Sequence, residues 1–281
     1  MNNKLTKEEI NDLGNYPMGE YRLIDVQRAI LLIMIEFDKI CRKIGVKYIL
    51  DGGSLLGAVR HNGFIPWDDD MDVAMLRSDY QKLIRYIKKN SQIEYEFCST
   101  SSCKIWPYNF GKFIKNNTIY EETFLKNLPI NHGLWIDVFP MDNTFKCTYK
   151  IQSKLSRFWQ DVRWTKNGIS ECNCFKPKHK KLLRMLSHLP FWFINLNSEL
   201  SIRLFNFLPC RNVCKLCHPG KGKVPHAKYY YNNIIEHSFC GKMFYIPKDY
   251  NNWLNIRYKN PMELPKKEDR VPSHFGGIIK L

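Results

Sequence analysis

The spacing of hydrophobic residues first indicates a long helix. Between residues 21 and 45, apolar side chains recur at close to helical period, and in the middle of the segment they occupy almost every face. The pattern predicts a mostly buried helix that ends at Gly45. Residues 47–50 then predict a short strand that leads directly into the turn Asp51-Gly52-Gly53-Ser54.

Shorter apolar runs follow this helix. Residues 71–76 predict an extended strand, and Ser78 with Gln81 forms a capping-box pattern for a helix over residues 79–89. This mixture of helices and short strands predicts an α+β core that reaches to about residue 145. Further strands of that core are expected at residues 93–98, 110–115 and 134–139.

The remainder of the chain has a different character. Residues 146–235 are rich in Lys, Arg, Cys and aromatic residues, and the span 182–208 has a helical pattern interrupted at Pro190. The tail that follows is basic and contains several prolines. We therefore expect a core over 1–145, a helical, basic, cysteine-containing insertion over 146–235 that faces an acceptor or a membrane, and a segment over 236–281 that returns to the core.

Composition and charge narrow the classes of function. With 44% hydrophobic and 25% charged residues among 281, the composition is globular and excludes a disordered chain. The 43 Lys and Arg against 27 Asp and Glu give a net charge of +16, which calls for nucleic acid, an acidic membrane surface or a phosphorylated substrate as partner. No apolar run approaches the roughly 20 residues of a membrane span, and no signal-peptide pattern is seen, so a cytoplasmic protein is expected.

An acidic cluster carries the clearest chemical signal. If the segment is extended, Asp68, Asp70 and Asp72 share one face and Asp69 points to the other. Aligned carboxylates repel unless a cation lies between them, and such oxygen ligands suit Mg²⁺ or Mn²⁺ bound to substrate phosphates. The alternative is a solvated acidic loop. The apolar run that follows, residues 73–76, favours a functional cluster, because acidic residues leading into a buried strand are costly.

Two further features fit the same chemistry. Gly52-Gly53-Ser54 follows a strand and precedes a helix, an arrangement that allows a phosphate to approach the backbone closely. Asp137 lies in an apolar strand and could deliver another metal ligand or a base, the alternative being a paired strand aspartate.

The segment GGSLLGAVRHNGFIPWDDDMDV, together with WIDVFP at residues 135–140, resembles the signature of the LicD family. Fukutin and fukutin-related protein are similar at greater distance. The resemblance covers most of residues 20–145 and 240–275, where it includes residues 245–250, Leu254, Tyr258, Pro265, Arg270 and His274.

The resemblance implies a nucleotidyltransferase fold and transfer of phosphocholine from CDP-choline to a hydroxyl of a bacterial lipopolysaccharide, capsule or teichoic acid, with release of CMP. Fukutin-type members imply CDP-ribitol as donor. In-line phosphoryl transfer needs neutralisation of the diphosphate charge. The residues assigned to it are Asp68, Asp70, Asp72 and Asp137 for Mg²⁺ or Mn²⁺, of which the last three are catalytic, and Gly53, Ser54, Arg60 and Lys112 for the donor phosphates.

Several nearby residues keep two interpretations. Asp69 either supports its neighbours or is structural, His61 contacts phosphate or lies in a turn, and His274 matches a family position without an assigned role. Choline recognition requires an aromatic cage. The candidates, each more readily explained as a core residue, are Trp67, Trp106, Tyr108, Tyr120 and Trp135.

The insertion offers two hypotheses of its own. A structural Zn²⁺ site could form from its clustered cysteines, with reduced thiols as the alternative. The helical span with its basic flanks is either a buried hairpin or an interfacial helix on the inner face of the cytoplasmic membrane. The cysteines concerned are Cys172, Cys174, Cys210, Cys214 and Cys217.

The sequence therefore predicts a magnesium-dependent CDP-alcohol phosphotransferase that moves phosphocholine onto a surface glycan. CDP-ethanolamine, CDP-glycerol or CDP-ribitol is the nearest alternative donor, and nucleotidyl transfer to a small molecule, protein or RNA is a second class. The expected partners are the CDP-alcohol, a glycan or lipid-linked glycan acceptor, and a peripheral membrane contact. Nucleic acid is not expected, because no recognition motif accompanies the basic charge.

Overall fold

The computed structural model describes residues 5–90, 94–169, 179–217 and 225–281. The helices are α1 Lys7–Gly14, α2 Leu23–Ile44, α3 Gly52–His61, α4 Arg77–Lys89, α5 Tyr149–Lys166, α6 Lys180–Leu186, α7 Phe191–Arg203, α8 Tyr229–Asn232 and α9 Tyr250–Arg257. The strands are β1 Pro17–Met18, β2 Tyr21–Arg22, β3 Ile49–Leu50, β4 Asp72–Leu76, β5 Tyr95–Cys98, β6 Gly111–Lys115, β7 Ile119–Glu122, β8 Trp135–Thr144, β9 Asn212–Cys214, β10 His226–Ala227, β11 Ile234–Phe239, β12 Lys242–Pro247 and β13 Phe275–Lys280.

A mixed sheet built around β8 organises the core. β4 pairs with β8 in parallel, while β6 and β9 pair antiparallel with its first and last residues. β3 extends the sheet beyond β4, β5 beyond β6, and β10 beyond β9. All ten residues of β8 are buried, as expected for the central strand of a sheet with both faces covered. The α+β class predicted from the sequence is confirmed.

Helix α2 packs on this sheet as the hydrophobic pattern predicts. It buries a continuous apolar stripe that includes Ile30, Ile33 and Phe37, and it ends at Gly45 in the left-handed conformation. The ring of Phe37 meets those of Tyr48 and Phe113 at 5.4 and 5.6 Å between centroids. Packing of this kind, and not helix propensity alone, stabilises the helix.

Two local predictions are wrong in detail. Helix α4 begins at Arg77 rather than Asp79, and no side chain caps it. It begins directly after β4, and the guanidinium of its first residue, Arg77, is held by Asp142, at 2.8 Å from Nε and 2.7 Å from Nη2. The strand expected at 134–139 continues as β8 to Thr144, since its last residues pair with β9.

The helical span over 182–208 is interrupted at its proline, as predicted. α6 and α7 are separate helices, and Pro190 precedes the first residue of α7. Leu183 and Ile194 pack with Val162 of α5 into a small apolar cluster. The second helix ends at Arg203, before residue 208. No helix within the described residues is long and apolar enough to cross a membrane.

Candidate active site

Three aspartates meet where β4 and β8 begin. Asp72 is the first residue of β4 and lies opposite Asp137 in the parallel register. Because side chains alternate along an extended chain, Asp70 faces the same side as Asp72. One oxygen from each of Asp70, Asp72 and Asp137 lies within 4.8 Å of the others. The structure thus brings together the three aspartates predicted to be catalytic, which we call the aspartate cluster.

The glycine pair makes room for carboxylates. A Cβ on Gly52 would lie 2.5 Å from Oδ2 of Asp72, and a Cβ on Gly53 would lie 2.5 Å from Oδ2 of Asp68. Gly52 also has a φ of 55°, a conformation that favours glycine. From the sequence, we expected the glycines of this turn to let a phosphate approach the backbone closely. In the structure, carboxylates make the close approach, and α3 already begins at Gly52.

Burial and mutual repulsion oppose ionisation of these carboxyl groups. Burial first, and then the charge of Asp70, raises the pKa of Asp68 and of Asp72 well above the usual range. Burial also raises the pKa of Asp137 to about 6, although Lys112 counteracts it. Oδ1 of Asp137 is buried without a hydrogen-bond partner in the described residues. A set of closely spaced, under-compensated carboxylate oxygens fits a hard divalent cation.

Lys112 lies inside the site rather than at its rim. Its side chain is only 3% exposed, and Nζ lies 2.7 Å from Oε1 of Glu122 and 3.6 Å from Oδ1 of Asp137. The same Nζ lies 3.4 Å from the centroid of the Trp135 ring. Lys112 therefore acts electrostatically on Asp137, and its ammonium is enclosed by a carboxylate and a ring face.

A second ionic group, absent from the sequence prediction, flanks Asp72. The carboxylate of Asp51 is 1% exposed and binds both Lys215 Nζ, at 2.7 Å, and the guanidinium of Arg257. Burial would raise the pKa of Asp51, but the two cations lower it far below its usual range. The amide of Asp51 donates to the carbonyl of Asp72 at 3.0 Å. Two cations from distant parts of the chain are thereby held beside the aspartate cluster.

Asp69 and His274 flank the other side. Asp69 accepts hydrogen bonds from the hydroxyl of Tyr120 at 2.5 Å and from the amides of Ser273 and His274 at 3.1 Å each. Nδ1 of His274 lies 3.0 Å from Asp69, and Nε2 lies 3.6 Å from Oδ2 of Asp70. Burial favours neutral His274, but the carboxylates of Asp70 and Asp69 outweigh it and raise the pKa well above its usual range. The predicted orientation of Asp69, away from its neighbours, is confirmed.

Ser54 and Arg60 already have partners. The hydroxyl of Ser54 accepts the amide of Asp72 at 2.8 Å and so fixes the beginning of β4. Nη1 of Arg60 donates to the carbonyls of Pro261 and Glu263 at 3.1 and 3.0 Å, and its Nε contacts His61 at 2.9 Å. In this structure both residues hold protein elements together, and their assignment to the donor phosphates stays a prediction.

Most of the aromatic candidates are core residues. Four of the five are less than 10% exposed, and Tyr108 and Tyr120 direct their hydroxyls to Glu122 and Asp69. The fifth, Trp67, is partly exposed, and the guanidinium carbons of Arg60 and Arg270 lie 5.9 and 5.7 Å from its ring centroid. The buried four are Trp106, Tyr108, Tyr120 and Trp135.

The proposed zinc site receives no support. Cys172 and Cys174 lie outside the described residues. Cys214 packs with Ile202 and Leu216, whereas Cys217 belongs to the main apolar core. Within the described residues, the aspartate cluster is the only group of three or more metal-ligating side chains, and Cys210 joins no other.

Comparison with known proteins agrees with the chemistry of this site. Residues 45–173 match the model of the LicD/FKTN/FKRP nucleotidyltransferase domain. The chain is 28% identical over 272 residues to the lipopolysaccharide cholinephosphotransferase LicD of Haemophilus influenzae. The aligned region covers 92% of this chain and 98% of the relative. The chain is also 57% identical over 35 residues to human ribitol 5-phosphate transferase FKRP, a match that covers 12% of this chain and 7% of the relative. Residues 45–173 are therefore similar to the LicD/FKTN/FKRP nucleotidyltransferase domain, and the similarity to LicD along nearly the whole chain supports a phosphotransferase.

Proposed function

We propose that the protein transfers phosphocholine from CDP-choline to a hydroxyl of a bacterial lipopolysaccharide, capsule or teichoic acid, and releases CMP. The observation that carries this proposal is the aspartate cluster, with its ligand oxygens within 4.8 Å of one another. The relative of nearly equal length is a lipopolysaccharide cholinephosphotransferase. We also infer a nucleotidyltransferase fold for the core over 1–145; the divisions at 145 and 235 stay predictions.

The cluster fits Mg²⁺ or Mn²⁺ because it offers hard oxygen ligands whose charge is otherwise poorly compensated. Asp70, Asp72 and Asp137 would hold the cation; Asp68, which the sequence also assigned to the metal, is not one of these three but interacts with Asp70. The chemistry that such a cation would supply is neutralisation of charge on the donor diphosphate and on the departing CMP. Asp70 and Asp72 keep part of their surface open to solvent, which allows a ligand to reach them.

The donor diphosphate requires a positive surface beside the carboxylates. We assign this role to Lys215 and Arg257, whose side chains are 12% and 22% exposed and are held in place by Asp51. Arg257 offers a planar fork suited to phosphate oxygens. Both cations act electrostatically on Asp72. A phosphate between these side chains and a metal ion at the cluster would therefore have positive charge on both sides.

The acceptor hydroxyl must lose its proton as the new P–O bond forms and the bond to CMP breaks. Asp137 either completes the metal site or takes this proton. A carboxylate whose pKa is raised to about 6 is ionised at neutral pH and still basic enough to accept a proton. Lys112, at 3.6 Å, would then steady the position of Asp137.

The test is to incubate the protein with Mg²⁺ and a panel of CDP-alcohols, with and without a surface glycan, and to measure CMP. Glycan-dependent CMP release from CDP-choline is the expected result. CDP-ribitol is included because of the short match to ribitol 5-phosphate transferase, and CDP-ethanolamine and CDP-glycerol complete the set. Release of pyrophosphate from a nucleoside triphosphate, without CMP from any CDP-alcohol, would contradict the proposal in favour of nucleotidyl transfer.

A further inference from the structure

Helix α7 exposes a continuous apolar stripe. The stripe has five residues, spaced along the sequence by four, four, four and three positions. This spacing places them along one side of the helix and of the turn after it. Their exposed fractions are 66, 48, 57, 47 and 79%. On the opposite side, Ile194 and Ile202 are fully buried. The stripe consists of Trp192, Leu196, Leu200, Leu204 and Phe207.

The preceding helix, α6, also exposes large apolar side chains, Leu182 and Met185, at 41 and 62%. Large apolar side chains grouped in this way are unusual on a protein that has no partner there. The helices nevertheless have a well-packed inner side, so the exposed residues are not simply a poorly folded core.

The surroundings of the stripe are strongly basic. Helices α6 and α7 together contain four Lys and Arg residues, all of them exposed, against one acidic residue, Glu199. Lys181 and Arg184 of α6, Arg203 of α7 and Arg211 beyond it are exposed. Two copies of such a surface would repel each other, whereas an anionic surface would attract it.

We propose that the stripe and the basic residues around it bind the surface of an anionic bilayer. Trp and Phe side chains suit the boundary between headgroups and acyl chains, and Lys and Arg suit anionic headgroups. Binding of this kind is peripheral and depends on both buried apolar area and ionic strength. It requires neither a donor nor an acceptor glycan.

Membrane binding would orient the proposed active site. Leu196, Leu200 and Phe207 of the stripe line a cavity of about 690 Å³ that is also lined by Leu76 and Met141, which lie near the ends of β4 and β8. The aspartate cluster lies near the beginnings of the same strands. Four residues of strand between Asp72 and Leu76 span about 13 Å. If the proposed function holds, the acceptor hydroxyl would therefore lie on a glycan that projects from the bilayer, rather than at the lipid itself.

The test is sedimentation with vesicles of phosphatidylglycerol and phosphatidylcholine, and with vesicles of phosphatidylcholine alone, at low and high salt. Wild-type protein should pellet with the anionic vesicles at low salt. Trp192→Ser with Phe207→Ser should lower the bound-to-free ratio at least about tenfold. The matched control is Leu32→Ser with Ile278→Ser, which removes side chains that are 57 and 54% exposed elsewhere and should bind as wild type.

The charge contribution is tested separately. Lys181→Gln, Arg184→Gln and Arg203→Gln together should weaken binding to anionic vesicles, while Lys82→Gln, Lys88→Gln and Lys89→Gln, an equal change of net charge at exposed positions of α4, should weaken it less. Asp72→Asn should bind as wild type, which separates this result from any failure of the proposed activity. Wild-type protein that stays in solution with anionic vesicles would overturn the proposal. So would a dimer, detected by light scattering, that the Trp192 and Phe207 substitutions dissociate.

Discussion

Strands β4 and β8 lie side by side, and the two ends of this pair have opposite electrostatic arrangements. At the beginning, Asp72 lies opposite Asp137, so that like charges face each other. Five residues further along each chain, Arg77 meets Asp142, and two hydrogen bonds of 2.8 and 2.7 Å join guanidinium and carboxylate. One end of the strand pair therefore holds a complete buried ion pair, and the other holds carboxylates without enough positive charge.

The physical consequences differ accordingly. Burial alone would lower the pKa of Arg77, but Asp142 outweighs it and raises that pKa, which means that the pair favours its charged form. For Asp72 both burial and Asp70 oppose the charged form and raise the pKa. An arrangement that is unfavourable by itself is expected where a ligand completes it. We therefore assign a structural role to the end with Arg77 and Asp142, and a chemical role to the end with the aspartate cluster.

The largest expected effect is on catalysis at the unpaired end. Asp72→Asn should lower the rate of CMP release by at least about 10³-fold, because a metal ligand that supplies several kcal/mol of transition-state stabilisation is lost. The melting temperature without metal should not fall, since the substitution removes repulsion. Asp70→Asn should behave alike. A near-normal rate in either variant would contradict the metal assignment.

The next largest effect is on stability at the paired end. Asp142→Asn leaves the buried guanidinium of Arg77 without a counter-charge, and loss of one partner of a buried ion pair costs about 3–5 kcal/mol. Denaturant unfolding should therefore show a lower midpoint. The rate per folded molecule, measured at low temperature, should stay near that of wild type. A variant with normal stability but no activity would reverse the roles of the two ends.

The glycine turn should show an intermediate effect. In Gly53→Ala the new methyl group would meet Oδ2 of Asp68 at 2.5 Å and displace it. A displacement of about 1 Å at a catalytic group can cost about 10²-fold, so we expect a rate 10- to 100-fold lower. Gly14→Ala is the matched control, because its methyl group would meet Ile24 at an ordinary 3.6 Å. Equal rates for both variants would show that the position of Asp68 is unimportant.

Lys215 tests the positive side of the site. Lys215→Met should raise the KM for the CDP-alcohol about tenfold, since one charge-assisted contact to a phosphate contributes about 1.5–3 kcal/mol. Lys228→Met is the control, because Lys228 lines the cavity beside the far ends of β4 and β8. An unchanged KM in the first variant would remove Lys215 from the donor site.

Local sequence patterns predict the parts of this site that lie on regular elements. The helical period of α2 and the alternation of Asp70 and Asp72 both follow from backbone geometry, so these predictions succeeded. Asp137 could be proposed because an acidic residue in an apolar strand is costly unless it is used. Its place opposite Asp72, however, depends on strand register, which no local pattern determines.

Long-range pairing explains what the sequence did not reveal. Arg257 is 206 residues from the Asp51 carboxylate that binds it, and His274 is 205 residues from Asp69. In the sequence, Arg257 looks like an ordinary residue of a basic tail, and His274 matches a family position without an indication of its partner. Asp51 gave a weak signal, since it begins the glycine turn. The predicted cap at Ser78 was wrong: α4 begins one residue earlier, at Arg77, whose buried partner Asp142 is 65 residues away.

The smallest expected effect is a rise in melting temperature on metal binding, which should depend on the aspartate cluster and not on the ion pair at the other end of β4 and β8. A ligand that binds only the folded state at about ten times its Kd adds about 1.4 kcal/mol of stability, which for a chain of this size raises the melting temperature by about 3–6 °C. Wild type should show this rise with MgCl₂ relative to NaCl of equal ionic strength. Asp72→Asn and Asp137→Asn should lose it, because each removes one carboxylate of the aspartate cluster. Asp142→Asn should melt lower but retain the full rise. If Asp142→Asn also lost the rise, the two ends would be coupled, and the division between a structural and a chemical end would fail.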